Sequence, residues 1–194
     1  MSEKGIPLPA ALQTLVDARQ DDQVVVTSMG ATREWPKLSQ HPLDFHYVPS
    51  TMGGVVPLGL GLAMSQPQRG VFVFVGDGSL VMSLGCLISV AANPVENLTV
   101  ILLDNGVYEV TGGQKTAAAV ANTDFAALAR ASGLENVSHF DDVNDWRNGL
   151  SGLLAQPGPR FVWLKTLAKQ DDYLMSPPCP MAEQLPRFKT ALAE

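Results

Sequence analysis

Residues 71–106 read VFVFVGDGSLVMSLGCLISVAANPVENLTVILLDNG. Five apolar residues, 71–75, are long enough for one buried strand. Gly76-Asp77-Gly78-Ser79 follows. Leu80, Leu84, Leu87, Ile88 and Ala91 then recur with the period of one helix face. Asn93-Pro94 ends that helix, because a residue before proline avoids the α region. A second apolar run, 98–103, leads into Asp104-Asn105-Gly106. The order is strand, acidic turn, helix, strand, amide turn. A hairpin at Asp77-Gly78 is the competing reading. It requires an alternating strand after Ser79, where the sequence keeps a helical period instead.

In a parallel βαβ unit both strands point the same way. Asp77 and Asn105 then meet at the carboxyl edge of the sheet, where open α/β sheets bind ligands. A helix beginning near Ser79 turns its free N–H groups and dipole on the same spot, which favours an anion. Gly76 and Gly78 permit close approach. A carboxylate, an amide oxygen and a helix N-terminus together suit a diphosphate carried on Mg²⁺, an ion that takes oxygen ligands and shares its shell with phosphates.

Outward from this unit, residues 8–20 carry a loose helical apolar face closed by Asp21-Asp22. Residues 24–28 form a buried strand ending in Met29-Gly30-Ala31-Thr32, and a short helix is predicted over 34–38. Residues 45–48 form a short strand, followed by Pro49-Ser50-Thr51-Met52-Gly53-Gly54. The helix predicted over 55–66 contains Gly59 and Gly61, each costing roughly 1 kcal/mol against alanine, which implies another backbone close by. After Asn105 comes a polar glycine loop, 108–115, and an alanine-rich stretch. Asp124 caps a helix to Ala131 that Gly133 ends. An edge strand over 137–140, a helix over 142–154 and a last strand over 161–165 complete the pattern. Six strands alternating with helices predict one doubly wound α/β domain, a six-stranded, mostly parallel sheet flanked by helices. Residues 1–170 form that domain, and 171–194 a proline-rich arm with a short terminal helix.

The chain has 194 residues, 46% hydrophobic and 16% charged, with a formal net charge of −6. One well-filled domain is expected. No cluster of Lys and Arg points to nucleic acid, and no run approaches the roughly 18 apolar residues of a membrane span. The polar, proline-containing start is not a signal peptide, so the cytoplasm is the expected compartment. Cys86 and Cys179 imply neither a disulfide framework nor a metal site.

Gly76-Asp77-Gly78, then 25 residues, then Asp104-Asn105 resembles the thiamine-diphosphate/Mg²⁺ signature, in which an Asn pair follows the Gly-Asp-Gly. Asp104 stands at the first Asn of that pair, and Asn105 keeps the second. The resemblance extends over roughly residues 10–170 and is closest to the C-terminal domains or β subunits of phosphonopyruvate and sulfopyruvate decarboxylases. Gly30-Ala31-Thr32-Arg33-Glu34, Ser50-Thr51-Met52-Gly53-Gly54, and Asp104-Asn105-Gly106-Val107-Tyr108 with Thr111-Gly112-Gly113-Gln114 carry it.

The resemblance implies a role for each motif residue. Asp77 and Asn105 would ligate Mg²⁺ through side-chain oxygens, and Val107 through its carbonyl. Gly76, Gly78 and Ser79 would form the diphosphate loop, with the N–H groups of Gly78 and Ser79 on its oxygens. Gly30, Ala31 and Thr32 would line the diphosphate from the other side. Met52 would hold the cofactor bent, and the backbone at Ser50 and Met52 would bond its aminopyrimidine ring. Bending sets the pyrimidine 4′-nitrogen against the thiazolium C2–H, a proximity worth on the order of 7 kcal/mol or more. Taken alone, Met52 is ordinary core, Asn105-Gly106 an ordinary turn, and residues 111–115 a surface loop. Arg33, Glu109, Thr111, Gln114 and Lys115 have no assigned role, and His41, His46 and His139 match no catalytic position.

The family activates its cofactor with a Glu from a separate pyrimidine-binding domain. None of the glutamates here sits in that motif, and no second α/β domain is present. The chain therefore resembles the β subunit of a split 2-oxo acid decarboxylase, completed by an α subunit in an α₂β₂ assembly. The catalytic Glu is expected on that partner, and the substrate is a small 2-oxo acid. Two other readings remain: a carboligating, acetolactate-synthase-like subunit, and a non-catalytic module that keeps the fold. A flavodoxin-like nucleotide module is disfavoured, since no Gly-x-Gly-x-x-Gly follows a strand. Val110 replaces a small polar residue in the family loop, which points to a less polar substrate.

Overall fold

The computed structural model describes residues 4–49, 51–169 and 178–194. Its elements run α1 (Leu8–Ala18), β1 (Val24–Thr27), α2 (Gly30–Leu38), β2 (Asp44–His46), α3 (Val55–Ser65) and β3 (Val71–Gly76). Then come α4 (Asp77–Val81), α5 (Cys86–Ala92), β4 (Leu98–Asp104), and a small hairpin of β5 (Val107–Tyr108) and β6 (Gln114–Lys115). The chain ends with α6 (Ala117–Ala121), α7 (Phe125–Ala131), β7 (Asn136–Phe140), α8 (Val143–Leu154), β8 (Arg160–Lys165) and α9 (Met181–Ala193).

Six strands form one sheet in the order β2-β1-β3-β4-β8-β7, and every adjacent pair is parallel. The central strands are continuous apolar runs because helices cover both faces. Val24, Val26, Val73, Val75, Val100 and Leu102 point to one side, against α3, α5, α7 and α9. Val25, Phe72, Phe74, Ile101, Val162 and Leu164 point to the other, against α1, α2 and α8. Trp35 packs on Phe74 with ring centroids 5.4 Å apart, and the buried Trp146 donates its indole N–H to the Ala11 carbonyl at 3.0 Å. Each such fully buried large side chain contributes about 1.5–3 kcal/mol.

From β1 the chain builds outward to β2, then crosses back to lay β3 on the other side of β1. Strand order reverses there, and a crevice opens at the carboxyl ends of β1 and β3. No helix among the described residues is long and apolar enough to cross a membrane.

Four local expectations are corrected. The helix predicted from Ser79 to Ala91 is two helices, and the first begins at Asp77. Between them Ser83 donates its N–H to Leu80 and Cys86 donates to Ser83, three residues apart rather than four. Ser83 is pressed against Gly53, where an added Cβ would lie 2.5 Å from the Ser83 Cβ. Ile88, which shares the helix-face period of Leu80, Leu84 and Leu87, is 62% exposed after this break. The loop at Gly30-Ala31-Thr32 is already helical, because α2 starts at Gly30. β2 spans 44–46 rather than 45–48. Gly59 does have a close neighbour, but it is the Val73 side chain, 2.1 Å from a Cβ added there, and nothing lies near Gly61. The hairpin alternative at Asp77 is excluded, since helix follows the turn. In the C-terminal region α9 packs back on the sheet edge: Gln184 donates to the His46 carbonyl at 3.0 Å, and Phe188 packs tilted on Phe45 with ring centroids 4.9 Å apart.

Candidate cofactor site

β3 ends at Gly76, and Asp77 opens α4. The pleat carries Asp77 under the crevice floor, where its side chain is buried. The Thr116 hydroxyl donates to Asp77 Oδ2 at 2.6 Å and also caps α6 by accepting the Ala119 N–H. Burial pushes the Asp77 carboxyl up to about 6. The Thr116 bond and the N–H groups of Gly78 and Asp77 oppose that rise, and the neighbouring Asp104 charge adds to it.

β4 delivers the opposite wall. Asp104 turns into β8, accepting the Trp163 indole N–H at 3.0 Å and the Lys165 ammonium at 3.1 Å. Asn105 Oδ1 accepts the Val107 N–H at 3.1 Å, and Gly106 takes a positive φ of 74° to complete the turn. Tyr108 lies over Gly78 so closely that any Cβ there would be 2.2 Å from its ring. The Ser79 hydroxyl accepts the Gly53 N–H at 2.8 Å, tying the Met52 loop to the acidic turn.

These elements enclose a cleft of about 160 Å³. Gly30, Ala31, Met52, Gly76, Asp77, Gly78, Ser79, Asn105 and Val107 all line it. Thr32 does not. Its hydroxyl is buried against Thr27 at 2.9 Å, and Thr27 in turn meets His46 Nδ1 at 2.8 Å. Ser50 lies outside the described residues. His41, His46 and His139 are not among the cleft-lining residues. At the other lip Met29, the residue before α2, takes φ 49° and ψ −122°, a strained conformation for a side-chain-bearing residue.

Sequence reading gave no role to Thr116, Tyr108, Glu109 or the segment 166–169. Thr116 stands 39 residues from its partner Asp77, and no local pattern announces such a pair. The Glu109 carboxylate accepts the Lys169 backbone N–H at 2.9 Å, drawing the segment after β8 over the cleft. Val110 adds an apolar, 41% exposed side chain to the wall.

Among the described residues no group of three or more His, Cys, Asp or Glu converges to hold a metal. Among the oxygens at the cleft are the Asp77 carboxylate, the Asn105 amide and main-chain carbonyls. Such a set fits a hard divalent ion that completes its shell with phosphate and water. The open space beside Gly76, where an added Cβ would meet nothing, fits a ligand on the turn.

Known proteins resemble this chain in sequence and in fold. The model of the thiamine pyrophosphate enzyme C-terminal TPP binding domain matches residues 26–163. Phosphonopyruvate decarboxylase of Streptomyces viridochromogenes is 36% identical over 181 residues, covering 93% of this chain and 45% of that protein. The sulfopyruvate decarboxylase subunit beta of Methanothermobacter thermautotrophicus is 39% identical over 143 residues, covering 73% of this chain and 72% of that subunit. The chain thus spans less than half of the first relative and most of the second. A thiamine diphosphate-dependent 4-hydroxybenzoylformate decarboxylase from Rhodococcus jostii shares the fold, with a TM-score of 0.72 and 19% identity over 88% of this chain and 34% of that one. A cleft at the strand-order reversal, walled by Asp77 and Asn105, and a family match across the sheet lead to one conclusion: the chain belongs to the thiamine pyrophosphate enzymes, as their C-terminal TPP binding domain.

Proposed function

We propose that this chain is the cofactor-holding β subunit of a split 2-oxo acid decarboxylase. The observation that carries the site assignment is Asp77: a buried carboxylate at the crevice floor, held by Thr116 on one oxygen and facing the turn of Asn105. In this reading Asp77, Asn105 and the Val107 carbonyl hold Mg²⁺. The loop of Gly76, Gly78 and Ser79 takes the diphosphate from one side, and Gly30 and Ala31 from the other. Thr32 supports α2 from below rather than touching ligand. Met52 and the backbone at Ser50 underlie the two rings. Residues 1–170 are the binding unit, and 171–194 the arm.

When bound, thiamine diphosphate supplies the electron sink for loss of CO₂ from a 2-oxo acid. The protein's part is to fix the diphosphate, neutralise its charge through the metal turn, and exclude water with the Tyr108, Val110 and Leu167 wall. The proton-transferring Glu comes from an α subunit bearing the pyrimidine-binding domain, in an α₂β₂ assembly with the active site between chains. Relatives named as beta subunits support this arrangement. The apolar wall at Val110 favours a substrate less polar than the phosphono and sulfo acids in the relatives' names.

The test is a calorimetric titration of thiamine diphosphate into the full chain with Mg²⁺, beside the Asp77→Ala variant. The variant should keep its circular dichroism spectrum and lose Mg²⁺-dependent binding. Unchanged affinity would sink the metal assignment.

A further inference from the structure

Asp104 departs from the Asn that the family signature has at this position, and its surroundings are built for the charge. It is 4% exposed. Trp163 and Lys165 both donate to the same oxygen, Oδ2, at 3.0 and 3.1 Å. Its main chain is held too, because its carbonyl accepts the Thr166 N–H at 2.8 Å. Asp104 and Lys165 are direct register partners on β4 and β8, so the pair belongs to the sheet rather than to a mobile loop. The turn 105–107 begins at the next residue. The Lys165 ammonium reaches back to that turn, 3.9 Å from a Cβ added at Gly106.

A carboxylate clamped toward β8 does not ligate an ion in the cleft. Its field still reaches the cleft, since Asp104 acts on Asp77 through charge alone. Lys165, with its side chain 35% exposed, offsets that field only in part because water screens it. Trp163 joins this pair to a second cavity of about 400 Å³ behind β4, where His139 stacks on the indole at 3.9 Å.

We propose that the Asp104–Lys165 pair, seated on Trp163, sets how tightly the turn of Asn105 and Val107 takes a divalent cation, with Asp104 acting as a positioning and charge-setting residue. The inference rests on the reading of Asp77 and Asn105 as the cation site. A lost anion behind the site weakens a divalent ion, and a lost cation strengthens it. Asp104→Asn keeps an acceptor for Trp163 and removes the charge. Lys165→Gln keeps a donor to Asp104 and removes the opposite charge. The two variants should therefore move cation affinity in opposite directions, which damage to the fold would not do.

The experiment is a Mg²⁺ titration of the full chain at saturating thiamine diphosphate, followed by calorimetry and by tryptophan emission, repeated with Mn²⁺. Asp104→Asn should weaken cation binding by about tenfold, and Lys165→Gln should tighten it several-fold, the scale of one unit charge acting across partly solvated protein. The emission change on cation binding should vanish in Trp163→Phe while the calorimetric signal persists. Equal affinities in wild type and both charge variants, or weakening in both, would overturn the inference and leave the cofactor site standing. Absence of any cation uptake by the wild-type chain would overturn the site assignment, and this inference with it.

Discussion

Asp77 carries its charge against the preference of its surroundings. Its carboxyl is pushed up to about 6 by burial, so ionising it at pH 8 costs the metal-free fold up to about 3 kcal/mol. Asp77→Asn keeps an oxygen for the Thr116 hydroxyl and removes that cost. The variant should melt at a higher temperature than wild type at pH 8 without metal, and it should bind no cofactor through Mg²⁺. Scanning calorimetry gives the first result and a Mg²⁺-dependent titration the second; a lower melting point would show that the charge is already compensated within the chain. Gly78 makes a second residue-scale case. A methyl group there would enter the Tyr108 ring, so Gly78→Ala should lower stability by about 1–3 kcal/mol and displace Tyr108. Urea denaturation checks the loss, and an unchanged midpoint would mean that the ring moves freely.

At the scale of elements, two histidines tie edge segments to the sheet. Burial lowers His46 and His139 below their ordinary value. The unfolded chain therefore takes up their protons first, and stability present above about pH 6.5 is lost as pH falls through the folded values. Asp77 acts in the other sense: its contribution is present at low pH and is lost as pH rises through about 6. In metal-free wild type the two trends oppose each other between pH 7 and 5. In Asp77→Asn only the histidine trend remains, so its melting temperature should fall more steeply over that range. Parallel pH profiles for the two proteins would contradict this. The edge joint of β2 and α9 can be tested separately. Phe188 is buried against Phe45, and Phe188→Ala should cost about 3–5 kcal/mol if α9 belongs to the folded unit. An unaltered denaturation midpoint would mean that α9 is an appendage.

Element by element, the legibility of the chain follows from how local each signal is. β1, β3, β4 and β8 are short apolar runs bounded by turn residues, and both faces of each are buried, so composition alone marks them. Asp124 and Gly133 mark α7 because caps act within a few residues. The break between α4 and α5 was not legible, because it depends on Ser83 meeting Gly53, 30 positions back along the chain. Of the site, Asp77, Asn105 and the glycines were legible as a spaced motif at strand ends. Thr116 and the 166–169 segment were not, since their relation to Asp77 and Glu109 exists only after β4 and β8 pair. Thr32 sat in the right motif, yet the early start of α2 turned its hydroxyl to Thr27.

On the scale of the whole molecule, the proposed reading makes the cleft one wall of an active site. Its groups would hold an anion and a cation, and the described residues around it include no glutamate placed to start proton transfer. Glu109 is committed to the Lys169 backbone, and Glu34 is 6% exposed and ringed by Arg33, Lys37 and Lys169. The central claim is that cofactor binding belongs to this chain and cofactor activation to a partner. The most direct measurement is CO₂ release from a 2-oxo acid with thiamine diphosphate and Mg²⁺, by the purified chain alone and after addition of a pyrimidine-domain subunit. The account predicts no turnover above background by the chain alone and turnover when the two are combined. Decarboxylation at an ordinary enzymatic rate, about 1 s⁻¹ or faster, by this chain alone would contradict it.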